Sequence, residues 1–119
     1  MKKTVKEETE EIINLHWENI SIEDFRTKVH WFTICREYEL SEDFMREYKD
    51  DLDWFMACKY QDMSEDFIRE VQDKVDWMRV SERYPISKSF IIEFQDKLDI
   101  GFLLDYNRIT QKDLDNAQV

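Results

Sequence analysis

The two histidines of the chain, His16 and His30, are the first candidates for metal binding or acid–base chemistry. Neither belongs to an HExxH motif, which places two zinc ligands on one helical face, or to the Glu-x-x-His pair of di-iron proteins. His30 also stands at a position that aspartate occupies elsewhere in the chain. We therefore expect a local role for His30 at a helix start, and no metal site.

Cys35 and Cys58 are the only cysteines and lie 23 residues apart. Two cysteines do not form a disulfide framework, and a reducing compartment suits them. The residues that follow at the same 23-residue interval are Ser81 and Leu104. A position that accepts cysteine, serine and leucine indicates packing, so we expect both thiols to be structural.

Carboxylates are abundant, with 28 acidic residues against 17 basic ones. General acid–base catalysis needs two carboxylates that face each other with separated pKa values, whereas these recur at regular intervals. A calcium loop requires an internal glycine, and a phosphate-binding loop requires several, but the chain has one glycine. The sequence predicts no enzyme activity, no cofactor, and no catalytic or metal-binding residue.

The regular intervals arise from a 23-residue repeat. Segments beginning at Leu40, Met63 and Ile86 align without gaps and carry the equivalent residues Ser41, Ser64 and Ser87; Phe44, Phe67 and Phe90; and Asp53, Asp76 and Asp99. Upstream, Trp31 keeps register with Trp54 and Trp77, while Glu18 and Ser21 replace the serine and first phenylalanine. We predict one domain, residues 1–119, with a divergent copy at 17–39, copies at 40–62, 63–85 and 86–108, and a partial copy at 109–119.

Each copy predicts two short helices. Ser41 is a suitable N-cap, and Phe44, Tyr48 and Leu52 recur at helical spacing. Asp53 would cap a second helix running from Trp54 to about Tyr60 and burying Trp54, Phe55 and Cys58. One continuous helix per copy is the alternative. Since neither helix buries its apolar stripe alone, we expect an all-α, short helical-repeat array with two short helices per 23-residue repeat.

Composition and charge restrict the possible partners. With one glycine and one proline, the chain lacks the turn formers of β-hairpins. The net charge of −11 disfavours contact with nucleic acid or anionic lipid and permits a basic protein partner. The sequence contains neither a membrane-spanning run nor the apolar stretch of a signal peptide, so we expect a cytoplasmic protein. Monomer and homodimer both stay open.

The acidic middle of the chain is the candidate binding face. Between Ser41 and Asp76 there are 12 acidic and 5 basic residues, a charge of −7. Solubility alone is one explanation of this excess, and an electrostatic face for a basic partner is the other. The candidate contact residues are Glu42, Asp43, Glu47, Asp50, Asp51, Asp62, Glu65, Asp66, Glu70 and Asp73.

The segments LSEDFMREYKDDLDW and MSEDFIREVQDKVDW resemble a short repeat of the form LSEDFIxxFxDKVDWxxISxYQ, found in proteins of phages, large DNA viruses and some bacteria. The best match spans residues 40–60 and 63–84, and the copy from Ile86 departs from it at Lys88, Ser89 and Ile100. The resemblance implies a viral or mobile-element origin and no particular reaction.

The leading functional hypothesis is a non-enzymatic acidic module that binds a protein. Its most concrete form is a phage-encoded inhibitor that imitates the charge of nucleic acid and blocks a host defence protein, as small acidic anti-restriction and anti-CRISPR proteins do; such an inhibitor would act in the host cell cytoplasm. The alternative is a structural or assembly adaptor that bridges proteins or self-associates. An enzyme with paired carboxylates and a divalent metal is the third hypothesis.

Overall fold

The structure is a computed structural model that describes residues 2–17, 19–83 and 85–117. Within these ranges the chain is all-α, with ten short helices and no strand. The helices are α1 Val5–His16, α2 Ile22–Lys28, α3 Trp31–Glu37, α4 Glu42–Glu47, α5 Trp54–Tyr60, α6 Glu65–Glu70, α7 Trp77–Ser81, α8 Lys88–Glu93, α9 Ile100–Asp105 and α10 Gln111–Asn116. Two compact units divide the chain, Met1–Met63 and Ser64–Val119, and each is described by itself.

Each of the copies from Leu40, Met63 and Ile86 contains a pair of helices with a distinct cap on each member. In the first helix of the pair the serine hydroxyl accepts the backbone N–H three residues later, as Ser41 does from Phe44 at 3.0 Å. In the second the aspartate carboxylate does the same, as Asp53 does from Met56 at 3.1 Å. The predicted helix pair is confirmed, and the alternative of one continuous helix is wrong.

The first helix of each pair provides most of the core. Phe44, Phe67 and Phe90 are at most 1% exposed, and the residue after each of them is fully buried. The repeat tryptophans are half-buried and bind the backbone between or near their own two helices: the indole N–H of Trp54 donates to the carbonyl of Lys49, in the turn after α4, at 2.8 Å. Trp31 and Trp77 make the same bond to the carbonyl five residues earlier. Each tryptophan therefore fixes the angle between its own two helices.

Phe55 corrects one expectation. Its side chain is 40% exposed, whereas Ala57 and Cys58 on the same helix are buried. One residue step turns the chain by about 100° around a helix axis, so Phe55 points away from the face that Trp54, Ala57 and Cys58 share. The prediction that Phe55 is buried was wrong for this reason.

The first copy begins its helix later than the 23-residue frame indicates. Ser21 is the N-cap of α2 and accepts from the N–H of Asp24 at 3.3 Å. In the frame Ser21 stands opposite Phe44, so the capping serine lies three positions further along. Glu18, which the frame aligns with the capping serines, lies outside the described residues.

Helix α1 was not predicted from the repeat, because it has no counterpart there. It begins with a capping box, in which Thr4 and Glu7 bind each other's backbone N–H at 3.1 Å. The helix packs on α2 and α4 and buries Thr9, Ile12 and Ile13. The side chain of Thr9 also contacts the hydroxyl of Tyr48 at 3.1 Å.

Within each unit, buried side chains join one copy to the next. In the first unit the Gln61 amide donates to the carbonyls of Cys35 and Tyr38 and accepts from the N–H of Leu40. In both units the second helices of consecutive copies pack on each other, α3 on α5 and α7 on α9. Thr110, 23 residues after Ser87, caps α10.

Candidate interaction surfaces

In the first unit the predicted contact residues follow α4 and its trailing turn, with Asp62 just beyond α5. Glu47, Asp50 and Asp62 are exposed, while Glu42, Asp43 and Asp51 are half-buried. The ammonium of Lys2 lies 2.7 Å from Asp43, and Arg46 lies 2.6 Å from it. The hydrogen bond and charge of Lys2, followed by Arg46, hold the pKa of Asp43 below its usual value. Asp43 is therefore charged and already paired.

Arg26, from the first copy, neutralises a second part of this face. Its guanidinium lies 2.8 Å from Asp51 and 3.6 Å from Glu47, and it sits 5.0 Å from the ring centroid of Tyr48. Exposed ion pairs of this kind contribute roughly 0–1 kcal/mol each. These two carboxylates consequently join copies together and are less available to a partner than the sequence indicated.

In the second unit the predicted contact residues follow α6 in the same way. Asp66 is paired with Arg69 at 2.7 Å, and Arg69 also reaches Glu93 at 2.9 Å. Glu65 has a structural role, because its carboxylate accepts from both the N–H and the hydroxyl of Ser87 at 2.7 and 2.8 Å. Glu70 and Asp73 are exposed. Each unit thus presents its carboxylates at equivalent positions of one first helix.

Two of the predicted contact residues keep unpaired carboxylates. Within residues 2–17, 19–83 and 85–117, the side chains of Asp62 and Asp73 form neither an ion pair nor a hydrogen bond, and both residues are exposed. A cationic partner could contact these two carboxylates without the free-energy cost of breaking an internal ion pair.

Both cysteines are buried, as expected of a packing position. Burial raises the pKa of the Cys35 thiol to about 12, although the backbone N–H of Asp53 donates to it and acts in the opposite direction. Ser81, at the equivalent position, accepts the N–H of Asp99 at 2.8 Å. The position therefore both packs and receives the backbone of the next copy, and a thiol that stays protonated is no nucleophile.

The two histidines lie beside the same pocket of the first unit. His30 is the N-cap of α3, as expected, but its side chain makes no capping hydrogen bond. His16 is hydrogen-bonded through Nδ1 to the hydroxyl of Tyr38. Both histidines line one pocket, of about 530 Å³. Among the described residues, no group of three or more His, Cys, Asp and Glu side chains is arranged to hold a metal ion.

Two exposed phenylalanines in the first unit form a feature that the sequence prediction missed. Phe32 is 44% exposed on α3 and Phe55 is 40% exposed on α5, and these two helices pack on each other. Both occupy the same repeat position, which is Met78 and Gly101 in later copies. A core position that holds phenylalanine in one copy would contain a large cavity with glycine in another, so the series indicates an exposed position, and this signal was available in the sequence.

Comparison with known proteins identifies no relative: no family model, curated protein sequence or solved structure matches the chain. In the described part of the chain, every helix is too short or too polar to cross a membrane.

Proposed function

We propose that this chain is a non-enzymatic acidic module that binds a basic protein partner. The observation that carries the proposal is that each unit exposes carboxylates on the first helix of a copy or just after it, Glu47 and Asp50 in the first unit and Glu70 and Asp73 in the second. Between Ser41 and Asp76 there are 12 acidic residues against 5 basic ones. Asp62 and Asp73 add charge that the described residues leave unpaired. Carboxylates in such excess attract a cationic surface and accelerate its association.

In its sharper form the proposal makes the chain a phage-encoded inhibitor of a host nucleic-acid-binding defence protein. Two features of the sequence support this form: the net charge of −11 on 119 residues, and the resemblance of its repeat, noted from the sequence alone, to one of phages and large DNA viruses. A protein that binds nucleic acid presents a cationic groove to the phosphates. Carboxylates that recur at equivalent positions of consecutive copies would compete for that groove.

The test is affinity capture from a nuclease-treated bacterial lysate, identification of the retained protein, and displacement of labelled DNA or RNA from it. We expect a basic, nucleic-acid-binding protein whose capture weakens between about 50 and about 300 mM NaCl, as the Debye length falls. The chain should displace the nucleic acid in proportion to its own concentration.

Two variants of equal net charge make the test specific. The first carries Asp50→Asn, Asp62→Asn, Glu70→Gln and Asp73→Asn. The matched control carries Glu10→Gln, Glu23→Gln, Asp96→Asn and Asp105→Asn, so that both lose four negative charges from exposed positions. At roughly 0.2–1 kcal/mol per exposed charge, only the first should bind about tenfold more weakly. Equal affinity of the two variants, or capture insensitive to salt, would refute the proposed face.

An assembly adaptor is the second candidate function, and the exposed phenylalanines support it. Phe32 and Phe55 are exposed on two helices that pack on each other, and large exposed apolar side chains are typical of protein contacts. In this function the chain would bridge proteins, or copies of itself, through an apolar patch. Such a contact tolerates salt, which separates it from the acidic face.

A further inference from the structure

The pocket that contains both histidines is the strongest unexplained feature of the first unit. It has a volume of about 530 Å³ and lies between the end of α1 and helix α3. Its lining residues are His16, Trp17, His30, Thr33, Glu37 and Tyr38. The acidic face and the exposed phenylalanines use none of these residues.

Most of the lining residues depart from the repeat. His30 replaces the capping aspartate of the later copies and does not cap. Tyr38 stands where Gln61 joins consecutive copies in the second copy. Trp17 lies outside the register of the three repeat tryptophans, whose indole N–H groups bind backbone carbonyls. Departures from a structural pattern that converge on one pocket indicate a role other than folding.

Three rings form one wall of the pocket. The centroids of Trp17 and Tyr38 are 5.7 Å apart at 49°, and His16 lies 6.2 Å from Trp17 at 88° and 5.8 Å from Tyr38 at 62°. The hydrogen bond between His16 and Tyr38 holds two of the rings in place. Burial, followed by the charge of Glu37, raises the pKa of the Tyr38 hydroxyl, which stays neutral.

The lining of the pocket offers aromatic rings and a single carboxylate. Glu37 is its only carboxylate and is bound by Arg36 at 2.7 Å, outside the lining set. Elsewhere the chain covers its rings with its own arginines, Arg26 over Tyr48 and Arg69 over Phe90. Among the described residues, no lysine or arginine covers the ring of Trp17 or Tyr38. Aromatic faces beside a carboxylate are the surroundings in which proteins bind a guanidinium.

We propose that this pocket receives an arginine side chain of the basic partner, with the guanidinium over Trp17 and Tyr38 and within reach of Glu37. The inference rests on the proposed function for the source of the arginine, but the pocket can be tested without the partner. The acidic face would then supply long-range attraction, and the pocket would select arginine over lysine, because a planar guanidinium stacks on rings and a compact ammonium stacks less well.

The test is a titration of the whole chain with N-acetyl-arginine methylamide, followed by NMR of the four indole N–H signals. We expect the Trp17 signal to move and those of Trp31, Trp54 and Trp77 to stay, because those three rings are not among the residues that line the pocket. The lysine analogue should bind several-fold more weakly. Movement of the Trp17 signal by N-acetyl-glutamate or adenosine monophosphate but not by arginine, or by no probe, would overturn the proposal.

Two variants test the rings directly. Tyr38→Gln installs the residue that the second copy carries at this position and should weaken arginine binding about tenfold. Tyr60→Gln makes the same change at an exposed tyrosine outside the pocket and should leave binding unchanged. Equal binding by both variants would overturn the proposal. If arginine fails to bind but the variant with four neutralised carboxylates loses its partner, the pocket is refuted and the proposed function stands. If arginine binds but that variant keeps its partner, the proposed function is refuted and the pocket stands.

Discussion

Cys35 and Ser81 occupy the same repeat position, and each accepts a backbone hydrogen bond, one through sulfur and the other through oxygen. The sulfur of Cys35 accepts the backbone N–H of Asp53, and the oxygen of Ser81 accepts that of Asp99. The bond joins the second helix of one copy to the capping residue of the next. Packing explains why the side chains of Cys35 and Ser81 are small, and the hydrogen bond explains why each carries an atom that can accept one.

We predict that Cys35→Val destabilises the protein relative to Cys35→Ser by about 1–3 kcal/mol, because valine leaves the N–H of Asp53 without its acceptor. Serine should be tolerated, since Ser81 already fills the position in the third copy. Urea denaturation of the two variants measures the difference. A valine variant as stable as the serine variant would show that the position only packs.

The structural role of the cysteines could be predicted from their 23-residue spacing, but the hydrogen bond could not. Leu104 stands at the same position and has no acceptor, so the sequence alone indicated packing. The approach of Asp53 to Cys35 depends on how consecutive copies stack, which no local pattern specifies. The same holds for Tyr38, whose contact with His16 joins residues 22 positions apart.

At the scale of helices, α1 takes the place of a repeat helix. The carboxylate of Glu8 accepts from the N–H and hydroxyl of Ser41 at 2.9 and 2.6 Å. In the second unit Glu65, on the first helix of the preceding copy, makes the same pair of bonds to Ser87. Helix α1 therefore supplies, from outside the repeat, the bond that a preceding copy supplies elsewhere.

We predict that Glu8→Ala lowers the free energy of unfolding by about 1.5–3 kcal/mol, since it removes two hydrogen bonds to a charged group that is 9% exposed. The control is Glu10→Ala, at an exposed position on the opposite side of α1, and it should change stability by less than about 0.5 kcal/mol. Thermal unfolding of both variants is the measurement. Comparable losses in the two would show that the effect does not come from the bonds to Ser41 and would contradict the role of Glu8.

The sequence predicted the helices that the repeat contains and missed the one that it does not. Ser41 and Asp53 are caps whose spacing is readable, and α5 runs over the predicted residues, Trp54–Tyr60. Thr4 and Glu7 have the spacing of a capping box and so signal the start of α1 in the sequence. The prediction missed this helix because it lies outside the repeat on which the prediction depended. Its docking partner and the bond from Glu8 are long-range and have no signature in the sequence.

At the scale of the whole molecule, the net charge of −11 sets the sign of every salt effect. Contact through the acidic face weakens as salt is added, because screening reduces attraction to a cationic partner. Contact through Phe32 and Phe55 strengthens or stays constant, since screening removes the repulsion between acidic chains and leaves apolar burial unchanged. The two candidate functions therefore predict different responses to added salt: binding through the acidic face weakens, and contact through the phenylalanines does not.

We predict that the chain sediments as a monomer at about 50 mM NaCl, and that self-association appears only near 1 M, where the Debye length is about 3 Å. The reason is that two chains of charge −11 repel each other at low salt, while the exposed phenylalanines form an apolar contact once that repulsion is screened. Phe32→Ser with Phe55→Ser should abolish the association, and Leu15→Ser with Tyr106→Ser, at two other exposed positions, should preserve it. Association that is strongest at low salt would contradict both the repulsion and the apolar contact, and would instead indicate pairing of opposite charges between chains.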